Sequence, residues 1–186
     1  MPPDLHAPWK QFLDELDPLL GEMLLGEPIE LHCIGGFAVV AAYDLQRSTN
    51  DLDYVTLIPA HCGQDLEQLA GQESALARKY KVHVHRASIA SLPTNYEDRL
   101  SEVFAGRFRN IRLFVLDPYD LVLSKLSRNI ERDREDVKHL VRTQKLDPTI
   151  LRERYNELRV NLIGPPETHE ATLEFWIEAF FSENPS

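Results

Sequence analysis

The most constraining feature of this 186-residue chain is an ordered series of short elements in its first third. Residues 31–34 are predicted to form a short buried strand that ends at the glycine pair of residues 35–36. Residues 37–45 have the composition of a compact apolar helix, and a polar connector over residues 46–50 follows it. Residues 52–58 are rich in β-branched and aromatic side chains, which is typical of a strand. The segment is therefore predicted to be a strand–turn–helix–strand unit.

Two aspartates, Asp51 and Asp53, stand at the start of the second strand. Residues two apart on a strand point to the same side, so both carboxylates project together while Leu52 and Tyr54 face the other way. Adjacent carboxylates repel each other unless a cation or a hydrogen-bond donor neutralises them. A hard divalent ion such as Mg²⁺, bound together with substrate phosphates, is the usual solution. The pair is therefore predicted to hold a metal of the kind that assists phosphoryl or nucleotidyl transfer.

The glycine pair, Gly35 and Gly36, lies between the first strand and the helix. Without side chains, the backbone there can approach a phosphate, and the N-terminus of the following helix favours an anion. Glycine pairs are common in ordinary turns, and two aspartates with this spacing are common on strands. The ordered combination of strand, glycine pair, helix, connector and aspartate-bearing strand is far more specific than either motif alone.

This combination resembles the nucleotidyltransferase superfamily, in particular the AbiEii-type and MenT-like toxins and related bacterial proteins. The matching residues are Gly35, Gly36, Ala38, Arg47, Thr49, Asp51 and Asp53. The resemblance implies an α+β fold in which helices flank a mixed sheet. It also implies that Asp51 and Asp53 hold Mg²⁺ or Mn²⁺ and act in catalysis. Gly35, Gly36, Arg47 and Thr49 would then bind the nucleotide, with Gly36 against its phosphates and Arg47 supporting the loop or approaching a phosphate.

The resemblance extends to about residue 151 through a lysine followed by an arginine–aspartate motif. The matching residues are Lys125, Arg128, Arg132, Asp133 and Asp136. By resemblance Lys125 would be catalytic, and all five would contribute to nucleotide binding. The three cations are three and four residues apart, so they would share one face of a continuous helix and could meet a triphosphate. An ion-paired, solvated helix surface is the alternative interpretation of the same charges.

One position departs from the family pattern, because many members supply a third carboxylate from a later strand. The corresponding strand here, residues 81–87, offers His83 and His85 and no acid. Imidazole is a poor ligand for Mg²⁺ and suits Zn²⁺ or Mn²⁺ better. Three interpretations stay open: His85 serves as a substitute metal ligand or base, two carboxylates suffice, or catalysis has been lost.

The rest of the chain is predicted from periodicity and from residues that end helices and strands. Helices are predicted over residues 9–25, with a division at Pro18, and over residues 63–80, 95–104 and 168–181. Strands are predicted over residues 81–87, with Val82 and Val84 on the core side, and over residues 111–116. Beyond Asp117 only helices are expected, with Asp117–Pro118 and Asp147–Pro148 as helix starts. Residues 1–116 would thus form the α/β core, and residues 117–186 a helical region packing on it.

Composition narrows the choice of partners. The formal net charge of −10 disfavours broad binding to DNA or RNA, which requires a basic surface. No apolar run approaches the roughly 20 residues that span a bilayer, so no membrane association is expected. Cys33 and Cys62 are too few for a disulfide framework. A cytoplasmic protein with reduced thiols is the simplest interpretation.

Three functions follow from these observations. The first is metal-dependent transfer of a nucleoside monophosphate from a nucleoside triphosphate to an acceptor hydroxyl. By resemblance to the toxins, the acceptor would be the 3′ end of tRNA or a protein side chain, and a cognate antitoxin would be a partner. The second is a catalytically degenerate module that binds a nucleotide or a protein. The third, metal-dependent phosphoester hydrolysis, fits the residue types but not the glycine pair.

Overall fold

The structure, a computed structural model, describes residues 7–88 and 91–181. The chain divides into two compact units. The first unit comprises Met1–Ser88 and Leu100–Val115, and the second comprises Ile89–Arg99 and Leu116–Ser186. The predicted α+β class is confirmed, with a five-stranded mixed sheet in the first unit and a helical C-terminal region in the second.

The first unit is built around the sheet, whose strands follow the order β3-β2-β1-β5-β4. Strand β1 pairs antiparallel with β2 and parallel with β5, while β3 joins β2 in parallel and β4 joins β5 antiparallel. The strands are β1 (Ile29–Ile34), β2 (Asp51–Ile58), β3 (His83–Arg86), β4 (Ser101–Val103) and β5 (Ile111–Val115). The helices are α1 (Ala7–Met23), α2 (Gly35–Ala42), α3 (Gly63–Ala70) and α4 (Ala75–Tyr80), and a 3₁₀ turn spans Ala60–Cys62.

Helix α1 is continuous, so the predicted division at Pro18 is wrong. The helix buries an apolar stripe that extends to both sides of the proline, from Trp9 to Leu20. Pro18 itself is exposed, so the lost backbone donor lies on the outer side of the helix. Burial of each large apolar side chain contributes about 1.5–3 kcal/mol, which together outweighs the roughly 3 kcal/mol cost of an internal proline.

Two further helix predictions need correction. The helix predicted over residues 63–80 is two helices, because α3 ends at Ala70 and the Ser74 hydroxyl starts α4 by accepting a bond from the Ala77 amide at 3.1 Å. The helix predicted over residues 95–104 is wrong. A short 3₁₀ turn, Tyr96–Arg99, is followed by edge strand β4. Residues 101–103 form a strand because they pair with β5 and gain hydrogen bonds from it. The spacing of apolar residues along the chain does not indicate such a distant partner.

The described part of the second unit contains helices and turns but no strand. The α-helices are α5 (Pro118–Ser124), α6 (Glu131–Gln144), α7 (Pro148–Leu158) and α8 (Pro166–Trp176), which continues as a π-helical turn, Ile177–Phe181. Both predicted caps are confirmed: Asp117 accepts bonds from Tyr119 and Asp120 amides, and Asp147 accepts one from the Thr149 amide. Leu121, Leu140 and Trp176 lie in its core with no exposed surface. In the ranges that the structure describes, no helix has the length and apolarity to cross a bilayer.

Candidate active site

The register between β1 and β2 places the glycine turn beside the second aspartate. Ile34, the last residue of β1, pairs with Asp53, and Gly35 follows with a φ of +69°. A Cβ added at Gly35 would lie 2.8 Å from Asp53 Oδ2. Both the left-handed backbone and the close carboxylate therefore require glycine at this position.

The second glycine of the pair lies against the arginine of the predicted motif. A Cβ added at Gly36 would lie 2.6 Å from Arg47 Nη2 and 3.2 Å from Nη1. The Arg47 guanidinium also donates to the Ser48 carbonyl at 3.2 Å. The first turn of α2 is thus bordered by a carboxylate on one side and a guanidinium on the other. Four residues of the sequence motif meet here.

Two hydrogen bonds hold the end of the connector that leads into β2. Thr49 is buried, and its hydroxyl donates to the Asp51 carbonyl at 3.3 Å. The indole Nε1 of Trp9, on helix α1, donates to the Thr49 carbonyl at 2.8 Å. Thr49 therefore supports the loop that leads to Asp51. No sequence motif predicted the hydrogen bond from Trp9 to this loop, because Trp9 stood out only as one of the apolar residues of the first helix.

Strand β3 lies directly beside the two aspartates. Asp51 pairs with His83 and Asp53 with His85, while Val84 is buried on the other face as predicted. His85 Nδ1 lies 3.1 Å from Asp53 Oδ1, and the two side chains are 57% and 26% exposed. Strand β3 therefore presents an imidazole to Asp53.

Asp51, Asp53 and His85 offer the types of ligand atom that a divalent cation accepts. Asp51 and Asp53 are both partly exposed, and the residues between and after them, Leu52 and Tyr54, are buried. Among residues 7–88 and 91–181, the ligand atoms of Asp51, Asp53 and His85 are not all within 4.8 Å of one another. Two carboxylates favour Mg²⁺, and the added imidazole extends the choice to Mn²⁺.

In the second unit, Lys125 is the centre of a buried charge cluster. Its side chain is 3% exposed, and its ammonium donates to Asp136 Oδ2 at 2.8 Å and to Asp133 Oδ1 at 3.4 Å. Arg128 adds two bonds to Asp133, at 2.8 Å from Nε and 2.6 Å from Nη2. The structure therefore joins four of the five predicted residues through ion pairs within this unit.

The continuous helix expected for the three cations does not exist. Helix α5 ends at Ser124 and α6 begins at Glu131, so Lys125 and Arg128 lie in the connection and Arg132 lies in the first turn of α6. Asn129 interrupts the helix with a φ of +43°. Helix α6 instead buries an apolar stripe, since Val137, Leu140 and Val141 have no exposed surface, and none of the three cations belongs to it.

The electrostatics of Asp133 follow from burial and from its partners. Desolvation by burial raises the pKa of this carboxyl. The hydrogen bonds and positive charges of Arg128 and Lys125 together lower it by more, so the pKa lies below its usual value. Asp133 therefore stays ionised in the folded protein at neutral pH. This ionised carboxylate is what holds the two cations in place.

A second buried ion pair in this unit had not been predicted. Arg99 donates to Asp120 through Nε at 2.9 Å and through Nη2 at 3.1 Å, and Asp120 has no exposed surface. Burial raises the pKa of Asp120 to about 6, and the Arg99 guanidinium offsets only part of that increase. An acid within the apolar run of residues 118–123 was the available signal, because a buried charge needs a partner.

A comparison with family models assigns the chain. The model described as "Nucleotidyltransferase of unknown function (DUF6036)" matches residues 13–179, which include the glycine pair, both aspartates and the charge cluster around Lys125. No curated protein and no solved structure gives a significant match. The chain therefore belongs to the DUF6036 family of nucleotidyltransferases of unknown function.

Proposed function

We propose that this protein is a metal-dependent enzyme that transfers a nucleoside monophosphate from a nucleoside triphosphate to an acceptor hydroxyl. The observation that carries the proposal is the packing of the glycine turn. Gly35 lies against the Asp53 carboxylate, and Gly36 lies against the Arg47 guanidinium. A helix N-terminus with a guanidinium on one side and a carboxylate on the other is suited to a metal–phosphate complex.

The chemistry assigns a role to each group. Asp51 and Asp53 would hold Mg²⁺ or Mn²⁺, which when bound neutralises phosphate charge and stabilises the attacking and leaving oxygens. The first turn of α2 and Arg47 would orient the phosphates. The acceptor oxygen attacks the α-phosphorus, the bond from that phosphorus to the bridging oxygen of the β-phosphate breaks, and pyrophosphate leaves. Asp53, with His85 at 3.1 Å, would take the acceptor proton.

The charge cluster of the second unit has a role that does not need a nucleotide. Lys125 and Arg128 are engaged by Asp133 and Asp136, and such buried pairs define how connecting segments pack. Contacts of these four residues and Arg132 with the triphosphate, and a catalytic role for Lys125, stay predictions based on family resemblance.

The acceptor proposed from the resemblance to AbiEii-type and MenT-like toxins is the 3′ end of tRNA, with a protein side chain as the other choice. Expression without a cognate antitoxin would then inhibit growth. The acidic net charge of −10 favours an acceptor held by one end over a long nucleic acid held along its backbone.

The test is transfer of label from each α-labelled nucleoside triphosphate to total RNA or total protein, with Mg²⁺ or Mn²⁺. Asp53→Asn preserves the shape of the side chain and is expected to reduce transfer at least about 100-fold. Asp44→Asn is the matched control, because Asp44 is exposed and has a φ of +55°, which asparagine tolerates. Label on RNA or protein that persists in Asp53→Asn would refute the assignment. Release of free nucleotide without an acceptor would indicate hydrolysis instead.

The contact between His85 and Asp53 also favours a second candidate, a degenerate nucleotide-binding module. In that case the wild type binds a nucleoside triphosphate in calorimetry but transfers no label. A His85→Asp variant distinguishes the two, because it supplies the third carboxylate that the resemblance to other nucleotidyltransferases implies for this strand. Transfer by His85→Asp but not by the wild type would establish the module, whereas transfer by the wild type would exclude it.

A further inference from the structure

The antiparallel pairing of β1 and β2 brings together two segments at the sheet end remote from the aspartates. Glu30 pairs with Ile58 near that end. Glu27 lies in the segment before β1, and His61 and Cys62 lie in the 3₁₀ turn that follows β2. Ile58 lies five positions after Asp53 on β2, a distance of about 17 Å at 3.3 Å per residue. Chemistry at this end is therefore spatially distinct from the site proposed above.

The three side chains at this end converge. One ligand atom from each of Glu27, His61 and Cys62 lies within 4.8 Å of the other two, and no other trio of potential ligands in the described ranges does so. His61 Nε2 lies 3.6 Å from Glu27 Oε2, with side chains 70% and 53% exposed. Cys62 is fully buried, and its amide donates to the Pro59 carbonyl at 3.2 Å. A buried thiol thus lies close to two exposed, adjustable ligands.

We propose that Glu27, His61 and Cys62 form a second metal site that takes Zn²⁺. Thiolate, imidazole and carboxylate are the three ligand types that zinc accepts, at bond lengths of about 2.0–2.3 Å. Tetrahedral bonds of that length place ligand atoms about 3.3–3.8 Å apart, and the 3.6 Å between His61 and Glu27 already falls in this range. Rotation of the exposed Glu27 and His61 side chains would bring their ligand atoms from within 4.8 Å of the Cys62 sulfur to this bonding separation.

The donor set also separates this site from the first one. Asp51 and Asp53 provide hard oxygen ligands, which suit Mg²⁺, whereas a thiolate selects softer ions. Zinc binds cysteine as the thiolate, so binding releases the Cys62 thiol proton to solvent as the sulfur–zinc bond forms. Three protein ligands leave the fourth position to water.

A groove of about 610 Å³ lies beside the trio, and His61 lines it together with Ala60, Gly63 and Gln64. The groove runs along β2 beyond the point where its pairing with β3 ends. Arg86, the last residue of β3, also lines it. His61 and Glu27 are both exposed, so an ion reaches these two ligands directly from solvent. A bound ion would tie the segment before β1 to the turn after β2.

The test uses Co²⁺ as a probe, because a cobalt–thiolate bond gives a charge-transfer absorption that carboxylate ligands do not. Metal-free, full-length protein is titrated with Co²⁺, and the expected result is one equivalent of this absorption, which added Zn²⁺ removes. Cys62→Ala abolishes the band, and His61→Gln lowers the cobalt affinity at least about 10-fold. Asp53→Asn leaves the band unchanged, so failure here is distinguishable from failure of the proposed transferase.

His61 is exposed, so His61→Gln is expected to fold even if replacement of the buried Cys62 prevents folding. The cobalt affinity of His61→Gln then still tests the proposal. Circular dichroism verifies the fold of each variant. Absence of the absorption in the wild type would overturn the proposal. A band of unchanged affinity in His61→Gln, or one that survives in folded Cys62→Ala, would overturn it as well.

Discussion

Replacing Lys125 with methionine tests the buried charge cluster of the second unit. The variant keeps a similar side-chain length but removes the ammonium that lies 2.8 Å from Asp136 and 3.4 Å from Asp133. At an effective dielectric constant of about 20, these pairs are worth roughly 6 and 5 kcal/mol before desolvation is counted. Removing one member of such a cluster leaves buried charge behind, and the net cost is about 3–5 kcal/mol. Since whole domains are stable by about 5–15 kcal/mol, the loss is easily measured.

Urea denaturation followed by far-ultraviolet circular dichroism gives the free energy of unfolding. Lys10→Met is the matched control on an exposed lysine and is expected to change stability by less than about 0.5 kcal/mol. The double variant Lys125→Met/Asp136→Asn is expected to recover part of the loss, because it removes one of the stranded charges. A cost below about 1 kcal/mol for Lys125→Met, or no recovery in the double variant, would refute the assignment of Lys125 to a buried ion-pair cluster.

Three further predictions follow from local geometry. Gly35→Ala is expected to lower the free energy of unfolding, measured by thermal denaturation, by about 1–2 kcal/mol, because a φ of +69° is strained for any residue with a side chain. Gly36→Ala loses less, since its clash is with the end of a flexible side chain. The raised pKa of Asp120, about 6, means that the folded state binds this proton more tightly than the unfolded chain does. Its contribution to stability therefore falls by up to about 3 kcal/mol from pH 4 to pH 6, and subtracting the pH profile of Asp120→Asn isolates that fall. Asp147→Ala removes a helix cap and is expected to lower the free energy of unfolding by about 1 kcal/mol in urea.

The elements that the sequence predicted well are those whose cause is local. Strand β2 follows from β-branched composition and from the alternation of aspartates with Leu52 and Tyr54. The starts of α5 and α7 follow from the Asp–Pro pairs, where the carboxylate accepts amide bonds and proline occupies the first turn. In each case the residues that decide the structure are within four positions of one another.

The elements that it predicted wrongly depend on distant partners. Edge strand β4 exists because Glu102 pairs with Phe114 on β5, and residues 95–104 alone favour a helix. Helix α1 continues through Pro18 because its buried stripe packs on both sides of that residue. Both outcomes are decided by tertiary packing, which overrides local propensity.

The residues of the candidate site also fall into those that local spacing predicted and those that depend on distant contacts. A period of two placed Asp51 and Asp53 on one face, and the glycine pair beside them followed from family resemblance. The spacing of Lys125, Arg128 and Arg132 suggested one helical face, but Lys125 and Arg128 lie in the connection between α5 and α6, and the turn at Asn129 separates them from Arg132. The grouping of Glu27 with His61 and Cys62 arises only from the pairing of β1 with β2, so no short motif in the sequence announces it.

The burial of the two tryptophans has a practical consequence for following how the chain unfolds. Trp9 and Trp176 are 2% and 0% exposed, they are the chain's two tryptophans, and each compact unit contains one of them. Intrinsic fluorescence thus carries one optical reporter per unit. Trp9→Phe leaves only the emission of the second unit, and Trp176→Phe leaves only that of the first. Coincident denaturation midpoints in the two variants would show a single cooperative transition, and separate midpoints would give each unit its own stability.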